Sequence, residues 1–303
     1  MPLLLTARED VLGSGCLEAD IAGLLPSAVA NAPAVEVARY PIQLGPAHLA
    51  KQACALGELF SVAGCCDDGR ILFRGDTRRV HRIAAGMTVG VIETEGDVGR
   101  HAGEAMQGGR LNIGGSAGDW LASGIRGGVV HLLGSAGDHA AAALPRCDQG
   151  VNGGIVLTGG IVLTGGTVLT GGTVLTGGTV LIEGSVGLLA GSRMRRGMLA
   201  IGGDCGEAAA YQLRAGTVVV AGRVGRRAGA GMRRGSLVAL GPSPDIWPAF
   251  ARGTVWNAPV VSMMLKWLAS QGWKSAAASV RGPWQQWHGD LTTGGKGELF
   301  CRV

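Results

Sequence analysis

From about residue 91 onward, short runs of alternating apolar and polar residues recur at a fixed step. Ile92 and Thr94, Leu111 and Ile113, Val130 and Leu132 stand in matching places 19 residues apart; after an interruption the beat resumes with Val180 and Ile182, Leu199 and Ile201, Val218 and Val220, Leu237 and Ala239. Alternation with period two puts each pair on one face of a strand. An apolar column, Met106, Ile125, Met194, Leu213 and Met232, keeps the same step, as does a mostly small one, Ala102, Leu121, Ala140, Ala190, Ala209 and Ala228. Glycines mark the beat at Gly96, Gly115 and Gly134, again at Gly184, Gly203, Gly222 and Gly241, and at Gly109, Gly128, Gly197, Gly216 and Gly235. A period near 20 means one unit repeated along an axis. The unit is too short and too rich in glycine for a helical pair, so it predicts β-solenoid coils with strands ~4.8 Å apart. The aliphatic pairs become buried columns and the glycines corners.

The flanks lack this rhythm. Residues 1–55 hold a short apolar run at Leu3–Leu5 and a loop-rich stretch, expected to cap the exposed strand edges of the first coil. The repeat region is read as 56–241, with Leu56–Val62 as its first strand. Residues 242–303 hold six of the seven tryptophans, and Val260–Ser270 is expected to be a helix with Val261, Met264, Leu265 and Leu268 on one face. This segment is read as a cap, a docking surface or both, since tryptophan often anchors interfaces.

Residues 155–178 are four hexamers, IVLTGG twice and TVLTGG twice. Removing them leaves Val151 19 residues before Met194, the step of the rest of the chain, so they read as an in-frame expansion inside one coil. Small hairpins or an extruded loop both fit the pattern. No charge falls between 149 and 182, but eleven glycines there argue against a membrane-spanning helix.

Composition sharpens two points. The 55 glycines are largely periodic, which argues for a repeat fold over disorder. The seven cysteines are odd in number and scattered, so reduced thiols and a cytoplasmic location are expected, with no signal peptide at Met1–Leu5. The net charge of +5 is concentrated: nine arginines against Asp204 and Glu207 between 193 and 234 give 9 − 2 = +7.

No converging catalytic or metal-binding set is read from the chain. The six histidines form no ligand pair; His101 and His139 lie two coils apart on what reads as a solvated face. The glycines around Lys296 lack phosphate-loop spacing, and Ser116 and Ser135 read as corner residues. One constellation remains. Directly after the Met106–Met232 column come Gln107, Arg126, Arg195, Arg214 and Arg233, with Arg196 and Arg234 beside them. These side chains either splay into water or form a strip for an anionic partner through forked hydrogen bonds. Nucleic acid is not expected, because no aromatic residues interleave with the arginines.

The phrases Gly96-Asp97-Val98-Gly99-x-x-Ala102-Gly103-x-x-Met106 and Gly191-Ser192-Arg193-Met194-Arg195-Arg196-Gly197, with Leu56-Gly57-Glu58-Leu59-Phe60 before them, resemble the glycine-rich solenoid subunit of formylmethanofuran dehydrogenase. The resemblance extends to its bacterial counterpart in the formyltransferase/hydrolase complex, and a related solenoid forms the C-terminal domain of the glutamate synthase large subunit. It implies an all-β, right-handed parallel β-helix and a noncatalytic scaffold role within a one-carbon complex. Metal and pterin cofactors then belong to sister subunits and none to this chain. The implied partners are those sister subunits and the polyglutamyl tail of a methanofuran-type carrier, the latter on the arginine strip. Two other readings are a glutamate-synthase-like spacer and a β-helix carbohydrate-active enzyme. The last needs acids clustered on one exposed face, and the coils supply few.

Overall fold

The computed structural model describes residues 2–12, 18–45, 52–142, 153–158, 179–195, 197–270, 273 and 282–303. The N-terminal part comprises β1 (Leu3–Ala7), α1 (Glu9–Leu12), β2 (Ala19–Asp20), α2 (Ala34–Val37), β3 (Pro41–Leu44), β4 (Gln52–Ala55), α3 (Leu56–Leu59) and β5 (Phe60–Ala63). Next come β6 (Arg70–Arg74), β7 (Val80–His81), β8 (Val91–Thr94), β9 (Gln107–Ile113), β10 (Arg126–Leu132), β11 (Gly153–Thr158), β12 (Thr179–Ile182), β13 (Met198–Ile201), β14 (Thr217–Val220) and β15 (Arg234–Ala239). The chain closes with β16 (Ala251–Trp256), α4 (Pro259–Ser270), β17 (Trp284–Gly289) and β18 (Lys296–Arg302).

The 19-residue step is a spatial register. Strands pair in parallel with Ile92 opposite Leu111, Leu111 opposite Val130, Leu199 opposite Val218 and Val218 opposite Leu237. A second column of parallel bridges runs Thr77, Val98, Ala117, Ala136, Val186, Cys205, Val224. Ile92, Leu111, Ile113, Val130, Leu132, Ile182, Leu199, Ile201, Val218, Val220, Leu237 and Ala239, the alanine column and the column of Met106, Ile125, Met194, Leu213 and Met232 are buried in one continuous cluster; Thr94 is buried as well. Two glycines show why the beat needs that residue. Gly216 has φ +105°, a left-handed conformation that other residues adopt only with strain. At Gly222 a Cβ would collide with the Gly203 backbone and the Asp204 carboxylate of the preceding unit.

The expected all-β, right-handed parallel β-helix is corrected by the sheet topology. The main sheet has 14 strands and is mixed: β1 pairs antiparallel with β5, as β17 does with β16 and with β18. A separate four-stranded sheet, β4-β3-β2-β7, is also mixed, and the described elements do not make up one closed parallel solenoid. The physical reason lies at the ends of the stack. The terminal units have no further repeat to pair with, so segments from outside the repeat cover them, and these, free of the 19-residue step, can run antiparallel, as β5, β16 and β17 do. Strands near both chain termini supply the last parallel rungs: β1 lies along β6, and β18 along β15 with Leu299 opposite Leu237.

Two local expectations also shift. Leu56–Leu59 is a helical turn, closed by the Ala55 N–H donating to the Glu58 carboxylate (3.0 Å), and the strand begins only at Phe60. The C-terminal helix α4 forms as the apolar spacing requires, burying Val261, Leu265 and Leu268. It covers the outer face of the sheet at Met198, Ala200, Val219, Val238 and Phe300.

The hexamer insertion enters the main sheet through its first copy. Ile155 lies opposite Val129 on one side and Thr179 on the other, so β11 is a rung between β10 and β12. At the neighbouring corner no rung is added, because Ala136 bridges Val186 directly. The place expected for Val151 lies outside the described residues. The paired positions Ile155 and Thr179 are 179 − 155 = 24 residues apart, the length of the four hexamers, so deletion carries Thr179–Ile182 into the place of Ile155–Thr158. The chain lacking Ile155–Gly178 is therefore expected to keep its β-sheet circular dichroism and to melt within ~10 °C of the full chain. Loss of the β signal would show that the added rung is indispensable.

Candidate functional site

The arginine strip is set by backbone register. The Arg214 N–H donates to the Met194 carbonyl (2.9 Å) and the Arg233 N–H to the Leu213 carbonyl (2.8 Å). Arg195, Arg214 and Arg233 thus begin at one place in consecutive units, each directly after a buried Met or Leu that anchors the backbone. Neighbouring positions are ~4.8 Å apart, as adjacent strands are. Arg195 and Arg233 are exposed and Arg214 is half-buried. Arg234 extends the strip: it opens β15 opposite Lys296 of β18, and both are exposed. Arg126 occupies the same place in its own unit, but its neighbour on the next rung is Gly153, which separates it from the three. Arg196 lies outside the described residues.

Arginines at the two ends of the stack differ in their company. Toward the N-terminus they face carboxylates: Arg70 with Glu93 (3.1 Å), Arg74 with Glu95 (2.8 Å), Arg78 with Asp76 (2.6 Å) and Arg100 with Glu18 (3.0 Å). Among the described residues no acid pairs with Arg195, Arg233 or Arg234. Aligned like charges repel. A polycarboxylate lying along this strip would remove that repulsion and receive forked hydrogen bonds.

A second feature is not apparent from the sequence alone. His101, Trp120 and His139 stack as one column, with centroids 5.9 Å and 4.0 Å apart and planes within 2° and 6°. The signal for it is the shared step: Trp120 stands midway between the two histidines, which otherwise read as unrelated residues on a solvated face. His101 also approaches Glu104 (3.1 Å), and Glu104 in turn approaches Arg82 (3.5 Å). Among the described residues no three His, Cys, Asp or Glu side chains converge as metal ligands would. Gly114-Gly115-Ser116-Ala117-Gly118 has the spacing of a hydrolase nucleophile turn. Ser116 is no nucleophile here: its Oγ accepts the Ser135 N–H of the next unit (3.2 Å), and the strand–turn–helix setting is absent.

Burial lowers three histidines at separate places in the fold. Burial pushes His139 below the ordinary histidine value, against the opposing pull of the Asp138 and Asp119 carboxylates. Burial also lowers His81, against Glu18; its Nδ1 accepts the Arg100 N–H (2.9 Å), which requires that nitrogen unprotonated. His131 is lowered by burial and by Arg110. Thiol chemistry is suppressed where burial is deepest, since the Cys205 thiol is pushed up to about 12.

No protein-family model and no curated protein matches this chain. In structure it is similar to a chain of the formyltransferase/hydrolase complex (FhcABCD) from Methylorubrum extorquens, crystallised with methylofuran. The two share 29% sequence identity over 99% of each chain, with a TM-score of 0.79. This likeness bears out the resemblance to that complex read from the glycine phrases.

A pH dependence follows from the histidines. A histidine lowered in the folded state takes up its proton more readily when unfolded, so it contributes stability above about pH 6.5 that is lost on acidification. The melting temperature is expected to fall between pH 7.5 and pH 5, and His139→Gln to flatten that slope. Equal slopes in the two proteins, followed by circular dichroism, would remove His139 from the account.

Proposed function

We propose that this chain is the noncatalytic scaffold of a formyltransferase/hydrolase complex of one-carbon metabolism. The observation that carries the reading is likeness over the whole length to a chain of such a complex. Nothing converges here into a catalytic set among the described residues, and the exposed chemistry is a strip of cations. In this reading the formyl-transferring and amide-cleaving sites, with any metal or pterin, belong to sister subunits, and the chain works in the cytoplasm. Among the described residues no helix is long and apolar enough to cross a membrane.

The strip at Arg195, Arg214, Arg233 and Arg234, with Arg196 next to Arg195 in sequence, is the place proposed for an anionic partner. The polyglutamyl tail of a methanofuran-type carrier fits it chemically, because a run of carboxylates can meet a run of guanidinium groups without a specific pocket. Arg126 contributes from a separate place on the stack.

Two outcomes test this. The purified chain alone is expected to turn over no formylated carrier; turnover free of sister chains would overturn the noncatalytic assignment. Changing Arg195, Arg233 and Arg234 together to Gln should leave the isolated chain as stable as before or slightly more so, because like-charge repulsion is relieved. Three screened contacts of roughly 0.5 kcal/mol each sum to about a tenfold loss. That loss is expected in the KM of the assembled complex for the glutamyl-tailed carrier, and it should shrink as salt rises. Identical steady-state kinetics of the two complexes at low salt would reduce the strip to a solvated face.

A further inference from the structure

We infer that the free edge of β16, together with the outward side of α4, is the surface on which a sister chain docks, through an apolar segment flanked by carboxylates. The inference rests on the assembly proposed above and adds where the contact lies. β16 ends the 14-stranded sheet and, among the described residues, pairs only with β17, so its outer backbone groups face no described strand. A bare edge of this kind is a template for another chain. The opposite edge, β5, exposes only Ser61 and Ala63. On β16, by contrast, Val255 is 49% exposed and Trp256 40%. Two residues beyond β16 the chain enters α4, where Val260 (60% exposed) and Met263 (71%) lie on the side turned from the buried Val261, Leu265 and Leu268.

Trp256 is held in place although exposed. Its indole N–H donates to Gln286 Oε1 (3.0 Å), and the Gln286 amide donates to Glu298 Oε1 (3.0 Å). An exposed ring already fixed in one orientation loses little entropy on binding, which is how aromatic anchors come to dominate interfaces.

Charge selects the occupant. From Ile246 to Gly289 the sequence has no Asp or Glu, but it has Arg252, Lys266, Lys274 and Arg281. Arg252 and Lys266 are exposed, and so is Arg302, which lies opposite Trp284, the residue that faces Trp256. A second copy would bring cations against cations, so the surface fits a different chain that supplies acids around an apolar strand.

The test uses the full-length chain and the sister chains of the same complex. Affinity is measured for wild type, Trp256→Ala and Met263→Lys, with hydrogen exchange of the β16 amides in the free and assembled chain. Met263 is largely exposed, so its variant is expected to fold and melt as wild type and serves as the control for Trp256→Ala. Both variants should bind at least tenfold more weakly, and the β16 amides should gain protection on assembly. If wild type assembles, both variants match it and the β16 amides stay unprotected, the docking surface is wrong while the assembly stands. Failure of wild type to bind any sister chain would instead overturn the assembly, and the docking surface with it. A dimer of the isolated chain that Met263→Lys abolishes would assign the face to a second copy and overturn the choice of occupant.

Discussion

Everything in this molecule hangs on vertical register between 19-residue units, and part of that register is held by side chains. Asp97 Oδ1 accepts the Ser116 N–H (2.7 Å), Ser116 Oγ the Ser135 N–H (3.2 Å), and Ser135 Oγ the Ser185 N–H (3.3 Å). The column continues through Ser185 Oγ to the Asp204 N–H (3.0 Å) and Asp204 Oδ1 to the Arg223 N–H (2.7 Å). A parallel column uses Asp119 and Asp138, with His81 Nδ1 in the same role at its start. Corner N–H groups left outside the strand ladder would each cost free energy if buried without a partner. Here each is satisfied by the unit before it. A shift of one residue would break every member of the column at once, which makes the register cooperative.

Because units repeat in register, a choice of side chain made at one position becomes a stripe when repeated. The outer face of the sheet shows this. At one such place the run is Glu93, Asn112 and His131 toward the N-terminus, and Ala200, Val219, Val238 and Phe300 toward the C-terminus. The polar half stays open, with the Asn112 amide donating to Glu93 (3.0 Å). The apolar half is sealed by α4 and by Trp273, whose indole N–H donates to the Ile182 carbonyl (3.3 Å). The arginines divide in the same sense: carboxylates accompany those near the N-terminal part, and no described acid pairs with Arg233 or Arg234 beside β15. One end of the stack is electrostatically closed, and the other offers cations and apolar surface to whatever meets it.

Much of this is legible in the sequence wherever the signal is periodic. The inward pairs, the Met and Ala columns and the stacked Arg195, Arg214 and Arg233 all follow from one step. What escapes is aperiodic or depends on the ends. The antiparallel strands β5, β16 and β17 occur once each and carry no repeat to detect, so the pattern predicts a wholly parallel helix in place of mixed sheets. Leu56–Leu59 runs directly into the apolar strand at Phe60 and reads as its start, but Leu and Glu favour a helical turn and the Glu58 carboxylate closes it on the Ala55 N–H. The His101–Trp120–His139 column is periodic and still hidden, because its three residues differ in type and only the 19-residue step unites them.

The hexamer insertion shows how locally the paired strands absorb a change of register. Each unit contacts chiefly its neighbours, so a change in one unit is absorbed locally. On the strand side the added rung β11 parts β10 from β12, yet one corner away Ala136 and Val186 remain in direct contact, as do Gly137 and Gly187 through a 3.3 Å hydrogen bond. Among the described residues the register is therefore changed on the strand side and kept at this corner. Beyond it the original register resumes, with Leu199 opposite Val180 and Val218 opposite Leu199. The cationic strip and the β16 edge both lie on the C-terminal side of the insertion. Their geometry is fixed by β13–β15 and β18, whose pairing does not pass through the hexamers, so the surfaces available to partners are insulated from the one stretch that departs from the 19-residue step.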